Sequence, residues 1–280
     1  MAQQARYVCK LSPELIQRAH EELNEPTNDS ERILAIDELK VAYNEDVYGK
    51  LLRRDDAFFL SFLRAKKFRQ EKALKCLQNY HKVRVEYSEV FDKVDSPVLL
   101  KPYFDKHIMY YIPEKAKDGA AVMLYRPGLL DENVDMHDLM AYSVLSIEKA
   151  LQDEAVQICG LRSIEDLNNF NMKIFLKVSV KDIARMNKIW TEAMPLRFKA
   201  AHLLNEGKVY DVLMAMMKPF MKQKLLDRIL LHGSDYDTLH KYVDPSFLPP
   251  YLNGTGAEPE VAGKVWNDIL REDWTHDTEL

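Results

Sequence analysis

The chain has 280 residues, 47% of them hydrophobic and 30% charged, which suits one large α/β domain, or a small helical domain beside a medium one, and excludes a disordered chain. The formal net charge of −5 argues against general nucleic-acid binding. Nine glycines are too few for an all-β fold full of tight turns.

The chain opens with helices. Ser12-Pro13-Glu14 supplies a cap and an N1 proline before LIQRAHEEL. A second helix starts after Asn28-Asp29-Ser30. A third begins near Asp55-Asp56, with Phe59, Phe62 and Leu63 on one face. A fourth runs from Arg69 to Tyr87, with Ala73, Leu74, Leu77, Tyr80 and His81 at helical spacing. No strand is predicted before about residue 105. HIMYYI and AAVMLY then read as strands around the turn Lys117-Asp118-Gly119. A helix is expected from Asp135 to Ala155, LRSIED as a strand, and VKDIARMNKIWTEAM as a helix. KAAHLLNE is strand-like, and VYDVLMAMMKPFMKQKLL is helical with a break at Pro219. RILLHG reads as a short strand, and LHKYV and VAGKVWNDILRED as helices. Strands alternating with helices imply a largely parallel sheet with covering helices.

The longest apolar runs, Ala120 to Tyr125 and Val212 to Met217, are far short of the roughly 20 residues of a membrane span. MAQQARYVCK lacks the apolar stretch of a signal peptide. Cys9, Cys76 and Cys159 are isolated and odd in number, so no disulfide frame or metal site is expected, and a reducing cytosol is the simplest setting. Motifs for chemistry fail. There is no G-x-S-x-G. Gly254-Thr255-Gly256 opens like a dinucleotide loop, but Pro259 stands at the third glycine. His20-Glu21 begins a zinc-protease pattern that Asn24 breaks, and Gly263-Lys264 is followed by Val265. No catalytic residue is assigned, and the chain is expected not to be an enzyme.

Two features survive. Val209, Leu213, Met216, Met217 and Phe220 share a helix face, and Tyr210, Met214 and Met221 make another face apolar. Either the helix is wholly buried, or it is a methionine-rich lid over an irregular cavity. Four cations directly after it (Lys218, Lys222, Lys224, Arg228) favour the lid. The second feature is charge: between Arg197 and Arg228 seven basic residues stand against three acids. Arg197 and Lys199 are two apart near a strand, and Arg64, Lys66 and Lys67 end a helix. Singly these are solvated surface; as a group on an acidic chain they suggest an anionic partner, each cation worth about 1 kcal/mol at an anionic membrane.

Four stretches carry a family likeness: FLRAKKF at 62–68, PLRFKAAHLLNE at 195–206, KPFMKQKLLDRILLHGSD at 218–235 and FLPPYLNGTG at 247–256. In order and spacing they resemble the CRAL-TRIO family, in the branch of cellular retinaldehyde-binding protein and α-tocopherol transfer protein. The likeness implies an all-helical N-terminal lobe (8–96), a lipid-binding lobe (97–260) and a C-terminal helix and tail (261–280). The second lobe would hold a mostly parallel sheet, covering helices and a helical gate over a lipid cavity.

By the same likeness the gate is Val209, Tyr210, Leu213, Met216, Met217 and Phe220, and a phosphoinositide cleft falls on Arg64, Arg197, Lys199, Lys224 and Arg228. The pocket falls on Met140, Ser143, Ile147, Leu161, Glu165, Phe170, Met186, Ile189, Trp190, Met194 and Phe198. Ser143 stands where the retinaldehyde binder has a ligand-facing tyrosine, Asn169 where a glycine is common, and LPPYLNGTG is a loose form of the family ending. Glu165 has two open readings. It faces the pocket, protonated or hydrogen-bonded, or it turns away to pair with Arg162 or Lys173.

The expected function is an intracellular, cytoplasmic carrier, peripheral on membranes. It would hold one retinoid or tocopherol-like ligand, without any other cofactor, and exchange it at phosphoinositide-containing membranes. About 500 Å² of buried apolar ligand surface is worth on the order of 12 kcal/mol before association costs, so shape and burial alone supply tight binding. The alternatives are a phospholipid or phosphatidylinositol transfer protein, a lipid-gated adaptor, and, less favoured, an enzyme acting on a bound retinoid.

Overall fold

The structure is a computed structural model that describes residues 6–272. Side chains of Val98, Leu99, Met172, Phe175, Val209, Leu213, Arg271 and Glu272 lie outside the described set. Chain packing separates two units. The first comprises 6–88, 151–158 and 188–197, and the second 89–150, 159–187 and 198–272.

The first unit is helical, as its capping signals predict. Ser12 caps Pro13–Leu23, accepting from the Leu15 amide, and Asn24 ends that helix at φ +59°. Asn28 caps Asp29–Ala42, and Asp55 caps Asp56–Ala65 through the Phe58 amide at 2.9 Å. The fourth helix is Gln70–Glu86. Their apolar faces close one core around Ile36, Leu39, Phe59, Phe62, Leu63 and Leu77. Phe58, Phe62 and Tyr80 meet edge to face with ring centres 5.0 to 5.7 Å apart. A short helix at Glu45–Tyr48 went unforeseen, as did Ser88–Asp95, which lies in the second unit from Glu89 on.

Two later segments belong to this unit. The helix expected to reach Ala155 stops at Ala150, because Asp153 starts a new one: its carboxylate accepts from the Ala155 amide at 2.8 Å and Glu154–Cys159 follows. The helix expected over 180–194 is α-helical through Lys188 and then widens into a π-turn at Ile189–Ala193. Cys76 donates to the Ala193 carbonyl at 3.2 Å.

The second unit holds a five-stranded sheet in the order β1 (Met109–Lys115), β2 (Ala121–Tyr125), β3 (Leu161–Asp166), β4 (Phe198–Leu204) and β5 (Ile229–Leu231). β1 pairs antiparallel with β2 across a turn whose Gly119 takes φ +76°. The other pairs are parallel. The longer helices of the unit are Met136–Ala150, Val180–Lys188, Gly207–Met217 and Pro259–Glu272. Pro219 breaks the third of these, as expected: a 3₁₀ turn, Lys218–Phe220, follows it, then a short helix, Gln223–Leu226. LHKYV is mostly not helical. The helix there is Tyr236–Leu239, capped by Asp235. Gly254 is fixed by a close return of the chain: a Cβ there would sit 2.0 Å from the Leu248 carbonyl oxygen. The Gly-Thr-Gly run therefore packs a tight loop. Residues 273–280 of the expected C-terminal tail lie outside the described residues.

Candidate ligand site

Strand register decides which side chains share a face. Tyr125, Glu165 and Leu203 lie side by side on β2, β3 and β4, as do Met123, Ser163 and Ala201. Alternation puts Leu124, Ile164, Arg162 and His202 on the opposite face. Over the first face, Leu167, Ala201 and Leu203 pack with Phe170, Phe198, Tyr210 and Ile229. Phe170 also joins Val178 and Ile183, which contact Met216, Met217 and Phe220. The helix Gly207–Met217 thus covers this face through Tyr210 and its methionines. It is not wholly buried: Asp211, Val212 and Ala215 are exposed, which discards the buried-helix reading. The side chains of Val209 and Leu213 lie outside the described set.

Tyr125 and Glu165 are the informative pair. Burial shifts both groups, so both lie inside the unit, yet each keeps accessible surface. Two interior polar groups that keep accessible surface make this face the candidate place for a ligand's polar end. Burial pushes the Glu165 carboxyl above the ordinary carboxylate range, partly offset by Ser163, whose hydroxyl donates to it at 2.8 Å. Among the described residues no cation offsets that burial. Arg162 instead engages Asp118 at 2.8 Å on the other face, and Lys173 engages Glu132 at 3.0 Å. The pairing of Glu165 with Arg162 or Lys173 is therefore overturned. Burial, with the Glu165 charge beside it, also raises the Tyr125 phenol above its usual range. Both groups can donate and accept hydrogen bonds while neutral.

Tyr125 was missed in the sequence. AAVMLY reads as a buried strand throughout, and nothing local says that its last residue keeps accessible surface beside Glu165.

The other expected pocket residues fall as follows. Met140, Ile147 and Leu161 are buried, and Phe170, Met186 and Phe198 are half-buried, all in the second unit. Ser143 donates to the Leu139 carbonyl of its own helix at 2.9 Å. Ile189, Trp190 and Met194 belong to the first unit.

The five expected headgroup cations divide in the same way. Arg64, in the first unit, is fully buried. It binds both Glu25 oxygens at 2.7 and 2.9 Å, and Glu154 at 2.7 Å. Arg197, also in the first unit, binds Glu22 at 3.0 Å and the Ile158 carbonyl. Lys199, Lys224 and Arg228 are in the second unit. Lys224 is exposed, Lys199 lies within reach of Asp118, and Arg228 donates to the Phe198 carbonyl.

One surface of the second unit mixes charge with exposed apolar groups. Beside the contacts of Val178 and Ile183 with the covering helix, Leu176 and Val180 are 72% and 61% exposed. Lys173, Lys177 and Lys181 are exposed in the same segment, and Lys208, Lys218, Lys222 and Lys224 along and after the covering helix. Among the described residues no helix is long and apolar enough to cross a membrane, and no cluster could hold a metal ion.

Comparison with known proteins agrees with this architecture. The family model described as CRAL/TRIO domain matches residues 105–254. The human "Alpha-tocopherol transfer protein-like" is 31% identical over 94% of this chain and 76% of its own length. Clavesin-1 of Pongo abelii is 30% identical over 100% of this chain and 78% of its own. The crystal structure of Sfh5 superposes with a TM-score of 0.52 at 15% identity, covering 96% of this chain and 100% of that one; this likeness concerns the fold.

Proposed function

Since the chain belongs to the CRAL/TRIO domain family of hydrophobic-ligand-binding and transfer proteins, we propose that it is a non-enzymatic carrier for one long apolar molecule with a neutral polar end. The ligand lies on the Tyr125 and Glu165 face of the sheet of the second unit, under the helix Gly207–Met217. Its polar end meets Tyr125 and Glu165. The observation that carries this reading is that pair: two interior polar groups with accessible surface and, among the described residues, no cation offsetting the burial of Glu165. Alcohols and aldehydes of retinoid or tocopherol type suit such an end. A phosphate or carboxylate would be an unpaired buried charge, which costs several kcal/mol, and this disfavours the phospholipid alternative.

Release takes place at an anionic, phosphoinositide-containing membrane. The seven exposed lysines attract the headgroups, and Leu176, Val180 and Val212 enter the interface beside the covering helix. The protein charged with retinol tests this in transfer to acceptor vesicles. Vesicles containing phosphatidylinositol phosphates should take up retinol faster than neutral ones, and the difference should shrink with salt. Changing Lys218, Lys222 and Lys224 together to Gln should lower the anionic rate about tenfold or more, each charge near the surface being worth about 1 kcal/mol. Equal rates on both vesicles would remove the membrane step.

A further inference from the structure

The residues that cover the ligand leave the sheet after β4 and return at β5, and a chain of hydrogen bonds closes the base of this excursion. The Asn205 amide donates to the Gly233 carbonyl at 2.8 Å, and the Gly233 amide donates to both Glu206 carboxylate oxygens at 3.0 Å. Beneath them, on the face opposite Tyr125 and Glu165, His202 and His232 touch directly, Nδ1 to Nε2, at 2.9 Å. His202 is fully buried and His232 is 8% exposed.

Their protonation is fixed by their neighbours. Arg162 holds Asp118 with two of its nitrogens and directs the third, Nη1, to His202 Nε2 at 3.2 Å. An arginine only donates, so that Nε2 accepts and Nδ1 carries the proton. His202 therefore donates to His232 Nε2. His232 Nδ1 donates to Thr238 Oγ1 at 2.7 Å, and Thr238 donates to the Asp235 carbonyl at 2.7 Å. Every member has one role, and the chain closes while both rings are neutral. A proton on His232 turns its Nε2 into a second donor aimed at the Nδ1–H of His202. A proton on His202 faces Arg162.

We propose that His202 and His232 form a proton-operated latch at the base of the covering excursion, closed when both rings are neutral and opened when either gains a proton, so that acid speeds ligand release. This concerns regulation of the same site and rests on the carrier reading. An anionic membrane is itself a source of protons, since a surface potential near −30 mV concentrates them about threefold.

Charges around the pair set the order of opening. His202 meets Arg162, Asp118, His232 and the Tyr242 ring, whose centre is 4.7 Å away. Burial, then His232 and Arg162, hold it down to about 3. His232 meets Glu206, Asp235, Lys241 and Tyr242. Burial lowers it as well, while Glu206 and Asp235 oppose that, so His232 gains its proton first. A histidine lowered in the closed state contributes stability that is present above its ordinary range and lost as pH falls.

Hydrogen exchange on the ligand-free chain at about pH 7.5 and pH 5, corrected for intrinsic rates, tests the latch. Each histidine that stays neutral when closed but titrates normally when open raises the opening constant about 30-fold over that interval. Protection over 199–206 and 226–236 should fall by at least about tenfold, while Phe58–Leu63 in the first unit should hold. His232→Gln should remove the roughly 30-fold share of one histidine and leave that of His202. Unchanged protection in the unaltered protein, an equal loss in Phe58–Leu63, or a full pH effect in His232→Gln would overturn the latch. Release of bound retinol to neutral vesicles should accelerate over the same pH range. A pH-independent release rate would overturn the link to release while leaving the carrier reading standing. Failure to bind retinol at all would instead remove the carrier reading, and the release link with it.

Discussion

Glu25→Ala should destabilise the protein by about 3–5 kcal/mol, the usual cost of stripping the partner from a buried ion pair. Glu25 is 1% exposed and serves two fully buried arginines. It takes a two-pronged bond from Arg64 and another from Arg32 at 2.9 Å. Burial works against the Arg64 charge, but the bonds and charge of Glu25 outweigh it and hold the guanidinium more firmly protonated than usual. Without Glu25, Arg64 retains Glu154, and among the described residues Arg32 keeps Asp29 at the surface, the Pro26 carbonyl and the Tyr7 ring. A urea titration measures the loss. Replacing the cluster by apolar groups, as Glu25→Leu with Arg32→Met and Arg64→Met, should recover most of it, because the desolvation penalty leaves with the charges. A loss under 1 kcal/mol for Glu25→Ala would mean that water reaches the cluster. An Arg64 variant that no longer binds phosphoinositide reports on folding before it reports on a headgroup contact.

The second large effect concerns ligand selection. For two ligands with the same hydrocarbon, retinol and retinoic acid, the alcohol should bind on the order of a hundredfold more tightly at neutral pH. The acid must either enter charged without a cation or be neutralised more than two pH units above its own range, at about 1.4 kcal/mol per unit. The alcohol meets neither cost and finds Tyr125 and Glu165 as partners. Tyr125→Phe should weaken the alcohol by about 1 kcal/mol, the net worth of one hydrogen bond, and leave the acid unchanged. Fluorescence titration of both ligands checks this. Equal affinities would place an uncounted cation at the ligand's end.

The folding signals that could be read in the sequence were local. The cap at Ser12, the helix starts near Asn28 and Asp55, the turn at Gly119 and the break at Pro219 each follow from a few adjacent residues. What was hidden needs partners far along the chain. Arg64 sits in a run of cations that reads as surface, and the carboxylate that buries it is 39 residues away. His202 and His232 meet only because β4 and β5 pair in one register, 30 residues apart. Glu165 could be drawn inward or outward until Arg162 and Lys173 were found engaged by other acids. Asp153 breaks a helix whose apolar spacing runs on past it, and that spacing misled the boundary.

Mass spectrometry of the apolar extract, after the protein has been incubated with an equimolar mixture of retinol, retinoic acid, tocopherol, stearic acid and phosphatidylinositol, tests the central claim most directly. The account predicts one neutral alcohol per chain, with the two carboxylic acids and the phospholipid nearly absent. Recovery of the phospholipid in preference to the alcohols, or of no apolar molecule at all, would contradict it.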